Sequence, residues 1–231
     1  MAERATRLHY QDELADLEGR ALGGLDLVTE TLTRTLEAIE SSDVALAALV
    51  VADDDRIDGR YLEVHQSILT LLATQQPVAT DLRLISALLH VMKSIERMGD
   101  QCVNIAKVIP LTGNEAPRDA EMIRDIVTMG RQAGSLVMQA KVGFAERDVE
   151  LCRDLVRRDD VIDDLNRRCF ARAIEIGDEF DAREWGITMM LVARALERIG
   201  DNAVDIGEQT AFVVTGLFRE FEDASRPGPI G

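Results

Sequence analysis

Aromatic residues make up only 4% of this 231-residue chain, and there are five prolines. Strands draw on aromatic and β-branched side chains, so a β-sandwich is disfavoured and long helices are favoured. The three cysteines, Cys102, Cys152 and Cys169, form no C-x-x-C pair. They lie among apolar helical residues and read as buried, reduced thiols of a cytosolic protein. No run approaches the ~18 uninterrupted apolar residues of a membrane span. Residues Met1 to Glu13 carry charges throughout and lack the apolar stretch of a secretory signal. A soluble, cytoplasmic protein is expected. Also missing are a P-loop, a Gly-rich dinucleotide turn and a Gly-x-Ser-x-Gly elbow. No Glu-x-x-His pair exists, so the usual ferritin-like di-iron ligand set is absent. With 26 basic against 42 acidic residues the formal charge is −16. That field disfavours direct nucleic-acid binding and favours cations, metal ions or basic protein surfaces as partners.

What is present is helical periodicity supported by 46% hydrophobic residues. Leu14, Leu17, Ala21, Leu25, Val28, Leu32 and Ile39 recur at spacings of three, four and seven, predicting a first helix from about Thr6 to Ile39. Ser41-Ser42-Asp43 supplies a stop and then an N-cap for a second helix reaching about Thr74. Gln76-Pro77 opens a third, with proline near its first turn. It carries a seam of Ile85, Leu88, Met92, Ile95, Gly99, Cys102, Ala106 and Ile109. After Pro110, residues 112–117 read as a linker. Three further helices follow, over about Arg118 to Glu146, Asp148 to Phe180 and Ala182 to Phe221. Short connections make neighbouring rods antiparallel. The expected fold is all-α: two tandem three-helix bundles over 1–111 and 118–222, with an unstructured tail over 223–231.

An internal duplication supports that division. Residues 95–106 read IERMGDQCVNIA and residues 196–207 read LERIGDNAVDIG, identical at six of twelve positions. Glu96, Asp100 and Asn104 form one helical stripe, as do Glu197, Asp201 and Asp205. Like charges four apart destabilise a helix, so nothing local rewards the arrangement. Leu89 and Val103 flank Glu96 at seven residues, and Met190 and Val204 flank Glu197, so each glutamate interrupts an apolar stripe. A partly buried carboxylate is costly unless a cation meets it or it takes up a proton. The second rod of each half carries a matching pair, Asp54 and Asp58 in one and Asp159 and Asp163 in the other. Antiparallel rods would bring four carboxylates together in each half. Oxygen-only clusters suit Mg²⁺, Mn²⁺, Ca²⁺ or iron better than zinc. The competing reading is a set of solvated acidic faces neutralised by arginines such as Arg97 and Arg198. Gly99 and Gly200 would let a neighbouring helix approach closely. His65 follows Asp58 by seven but has no counterpart in the second half. His9, His90, Asp81 and Trp185 read as ordinary structural residues.

With QPVATDLR at residues 76–83 and the duplicated ER-x-GD segments, nearly the whole chain resembles the PhoU family of phosphate-signalling regulators. The resemblance implies tandem three-helix bundles with pseudo-twofold symmetry. It also implies E(D)-x-x-x-D motifs at Asp54/Asp58, Glu96/Asp100, Asp159/Asp163 and Glu197/Asp201, which carry iron or other metal clusters in some members. Asn104 against Asp205 is a departure that leaves the two halves unequal. The function implied is that of a non-enzymatic repressor of the phosphate-starvation response. It would be a homodimer linking the phosphate transporter's ATPase to the membrane sensor histidine kinase PhoR. Two other readings of the residues stay open: a metal-dependent helical phosphohydrolase, and a purely structural bundle.

Overall fold

The computed structural model describes residues 2–112, 119–176 and 179–221. Among them the elements are α1 (Ala2–Ser41), α2 (Val44–Ala52), α3 (Asp55–Thr74), α4 (Ala79–Val108), a 3₁₀ turn (Ile109–Thr112), α5 (Ala120–Glu146), α6 (Val149–Glu175) and α7 (Phe180–Thr215). The linker, beyond Thr112, and the tail lie outside the described residues. Aspartates start three of the helices: Asp43, Asp119 and Asp148 each accept the backbone N–H three residues on.

The second rod is not the single helix that periodicity suggests. It breaks at Asp53-Asp54, between α2 and α3. Asp53 closes α2 by donating its N–H to the Leu49 carbonyl, at 2.9 Å. The N–H groups of Arg56 and Ile57 then reach back only three residues, to the carbonyls of Asp53 and Asp54. Three consecutive aspartates repel one another and compete for backbone groups, so the tighter turn forms there. In the second half Val161 and Ile162 follow the acids, and α6 runs unbroken. Two ends also differ from expectation. Phe180 opens α7 instead of ending α6, and α7 stops at Thr215 instead of near Phe221. Gly216 causes that stop: at φ 74° it takes the left-handed C-cap conformation and donates its N–H to the Phe212 carbonyl, at 2.8 Å. Pro77 stands just ahead of α4, not in its first turn, because Val78 is extended.

The α4 seam is buried throughout, from Ile85 to Ile109. The rods α1, α2–α3 and α4 surround one end of the core, and α5, α6 and α7 surround the other. The two bundles meet where α4 packs on α7 and α1 on α5, so one apolar cluster runs through both. Along α1 and α5 the ion pairs Glu18–Arg147, Asp26–Lys141 and Glu40–Arg131 form an antiparallel ladder. All three cysteines are free and buried, and burial pushes their thiols up, to about 12 for Cys102 and Cys169. Among the described residues no helix is long and apolar enough to cross a membrane.

Candidate functional site: two carboxylate grooves

The packing of the second rod on the third places the acidic pairs beside each other in both halves. Gly99 of α4 faces Ile57 of α3 and Asp54 just ahead of it, and Gly200 of α7 faces Ile162 and Asp159 of α6. At Gly99 a side-chain carbon would lie 3.0 Å from Ile57 Cδ1 and 3.5 Å from Asp54 Oδ1. At Gly200 it would collide with the Asp159 carboxylate. The missing Cβ of Gly200 is therefore the space into which Asp159 turns, whereas that of Gly99 makes room mainly for Ile57.

Electrostatics follow this geometry. Asp54 is pushed up by burial, then by the charges of Asp58 and Asp100. Asp100 is raised by burial, then by Glu96 and Asp58. The effect is larger in the second half. Burial raises Asp159 to about 7, with help from Asp201, Asp163, Glu197 and Asp160. Burial and Glu197 raise Asp201 to about 6, against the opposing charge of Arg194. Asp159 Oδ1 is buried and has no hydrogen-bond partner.

The two grooves differ through residues that sequence reasoning passed over. Lys107, seven residues beyond Asp100, lowers the acidity cost of both Asp54 and Asp100. Its counterpart 101 positions on is Glu208, so the second groove lacks that cation. The signal lies one residue beyond the duplicated segments, where Lys107 follows Ala106 and Glu208 follows Gly207. Each glutamate already has a cation on its own helix: Lys93 Nζ is 2.6 Å from Glu96, and Arg194 pairs with Glu197. No ion pair reaches Asp54, Asp58, Asp100, Asp159, Asp163 or Asp201 among the described residues. Nor do any three His, Cys, Asp or Glu side chains among them stand close enough, as arranged, to share one metal ion. Asp53, at the head of the acidic run, is taken by Arg34 of α1.

Two residues of the expected stripes stand at the margins of the grooves, and the charge of Asp205 still helps to raise Asp201. Asp205 lines a cleft between α4 and α7, where the charges of Arg97 and His90 act on it. Asn104 is exposed on α4. His65 packs beside the Tyr61 ring, His9 pairs with Glu13 at the surface, and Trp185 is buried.

The sequence profile described as the PhoU domain matches twice, over residues 25–109 and 126–210, each match spanning one acidic groove. The chain belongs to the PhoU family. A phosphate-specific transport system accessory protein PhoU homolog of Clostridium acetobutylicum is 30% identical over 220 residues, covering 94% of this chain and 100% of that protein. PhoU homolog 1 of Mycobacterium tuberculosis is 31% identical over 228 residues, covering 95% and 99%. Crystal structures of PhoU from Pseudomonas aeruginosa (TM-score 0.81, 27% identity, 90% and 100% covered) and Streptococcus pneumoniae (0.83, 26%, 91% and 99%) share the fold. The tandem bundles read from the duplication are thus PhoU architecture. PhoU proteins are regulatory accessory proteins and not enzymes, which sets the phosphohydrolase reading aside.

Proposed function

We propose that this PhoU-type chain, an accessory protein of phosphate transport, acts in the cytoplasm as a negative regulator. In this reading it couples the transporter's ATPase to a PhoR-type sensor kinase, with its carboxylate grooves charged by oxygen-ligated cations. The phosphate-transport role rests on the family and on relatives named as phosphate-specific transport system accessory proteins. The cation is supported by one observation above the others: Asp159, raised to about 7, keeps a buried carboxylate oxygen without a partner beside three more acids. Asp159, Asp163, Glu197 and Asp201 would hold the ion in the second half, and Asp54, Asp58, Glu96 and Asp100 in the first. Iron, manganese or magnesium suit such donors better than zinc. A bound cation would neutralise the cluster and draw its side chains inward, fixing the surface offered to the kinase. The second groove, without a counterpart of Lys107, would be the tighter site.

A competing reading, in which the acids are balanced by the protein's own cations, is favoured by the Lys93–Glu96 and Arg194–Glu197 pairs. It accounts for the glutamates and leaves Asp159 unexplained. The test is metal content and melting temperature after chelation and reloading with Mn²⁺ or Fe²⁺, followed by capture of a PhoR-type kinase's cytoplasmic part. Retained metal and a raised melting temperature, both lost in Asp159→Asn/Asp201→Asn, support the cation. No retention by the unaltered chain refutes it, and kinase capture indifferent to chelation refutes the coupling. Sedimentation of the same sample checks the expected homodimer.

A further inference from the structure

The cleft between α4 and α7 stands apart from both carboxylate grooves and has walls of opposite character. It encloses about 440 Å³, within the range of small-molecule sites. The α4 wall offers donors: His90, Ser94 and Arg97. The α7 wall and the segment after it offer acceptors: Asp205, Gln209 and Glu220.

Three observations indicate that these walls are built for something between them. Gln209 is only 6% exposed, yet its side-chain carbonyl, Oε1, has no hydrogen-bond partner. An unpaired buried acceptor forfeits its hydration without recompense, a larger loss than a hydrogen bond's net contribution, so it points to a missing donor. Arg97 and Asp205 line the same cleft and feel each other's charge, but no ion pair joins them. Lys93 does not fill the gap, since its ammonium is held by Glu96 and lies 5.9 Å from the Tyr61 ring centre. Finally, the chain after Gly216 folds over one end of the cleft. Phe218 packs against His90 and Phe212, and the Phe221 N–H is donated to Glu208 at 2.8 Å. Such cover is unneeded for a solvated surface groove.

We propose that this cleft binds a small zwitterion, an amino acid or a close analogue, its carboxylate on Arg97 and His90 and its ammonium on Asp205 and Gln209 Oε1. Glu220 adds a second carboxylate to the acceptor wall, so ligands with a second cationic group bind best. Because the donor wall belongs to the first bundle and the acceptor wall to the second, the ligand bridges the seam between them.

Isothermal titration of the full chain with L-lysine, L-arginine, putrescine, acetate and inorganic phosphate tests this. Lysine and arginine are expected to bind at least tenfold more tightly than putrescine, which lacks the carboxylate. They should exceed acetate and phosphate, which lack the ammonium, by the same margin. Arg97→Gln and Asp205→Asn alter exposed side chains, so their melting curves should match the parent while lysine affinity falls at least tenfold. Absence of lysine and arginine binding at millimolar concentration overturns the proposal. So does putrescine or phosphate binding as tightly as lysine, or unchanged lysine affinity in both variants.

Discussion

Replacing Asp159 by asparagine keeps the shape of the side chain and removes the charge that the second groove holds least well. The effect on stability has a defined dependence on pH. An unperturbed aspartate titrates near 3.8, and Asp159 in the folded protein near 7. Between those values the folded chain keeps a proton that the unfolded chain has released, so acidification stabilises the fold. That contribution is fully present below about pH 4 and is lost as pH rises through 7. At pH 8, without metal, the folded state bears the whole cost of the ionised group. A span of roughly three pH units at about 1.4 kcal/mol each sets a ceiling of roughly 4 kcal/mol. Asp159 is only partly shielded and shares its burden with Asp201, so solvent screening brings the expectation to roughly 1–2 kcal/mol. For a chain of this size that corresponds to about 2–8 °C. Asp159→Asn in chelator-treated buffer should therefore melt higher than the parent at pH 8, and the difference should shrink to roughly two-fifths of that at pH 5, where the unfolded aspartate is still mostly ionised. Calorimetric or circular-dichroism melts at the two pH values read this directly. A variant less stable than the parent at pH 8, or an equal difference at both, would refute the claim that the folded groove strains this charge.

The duplicated glycines should respond unequally to alanine. At Gly200 the added carbon meets the Asp159 carboxylate and lies 3.0 Å from Ile162 Cδ1, so a net loss of roughly 1–2 kcal/mol is expected, partly recovered by adding Asp159→Ala. At Gly99 the obstacle is mainly the yielding side chain of Ile57, and melting should change by no more than about 0.5 kcal/mol. Equal losses at both sites would show that the close aspartate is not the cause. Arg147 holds Glu18 across the two bundles through two hydrogen bonds, at 2.7 and 2.8 Å, and lies over the Phe144 ring. Arg147→Ala should cost roughly 1–2 kcal/mol and make the melting temperature less sensitive to added salt. A variant as stable and as salt-sensitive as its parent would place the bundle contact elsewhere.

The readable parts of the site were those tied to one helix. Glu96 and Asp100 interrupt an apolar stripe, and the interruption recurs 101 residues later, so a period of 3.6 was enough to find them. Gly99 and Gly200 mark points of close approach in sequence alone, because a glycine inside a helix has a local cost that packing must offset. Asp205 lines the α4–α7 cleft while its charge still reaches Asp201. Four residues along a helix turn through 400°, so a stripe drifts, and Asp205 has drifted far enough to face α4. Only the neighbouring helix reveals which side of the drift a residue falls on.

Fold class, the duplication, the capping Asp43 and the two acidic pairs per half follow from local patterns along the chain, which depend on backbone geometry alone. The break at Asp53-Asp54 and the stop at Gly216 also had local signals, but weak ones that a strong apolar period outweighed. The pairing of bundles through α4 on α7 and α1 on α5, and the greater strain on Asp159 than on Asp54, were decided by tertiary structure. So was the cleft that sets Arg97 against Asp205. These depend on distances between residues far apart in sequence. Charge and burial act through space, and a one-dimensional pattern carries no distance between rods until the core has packed them.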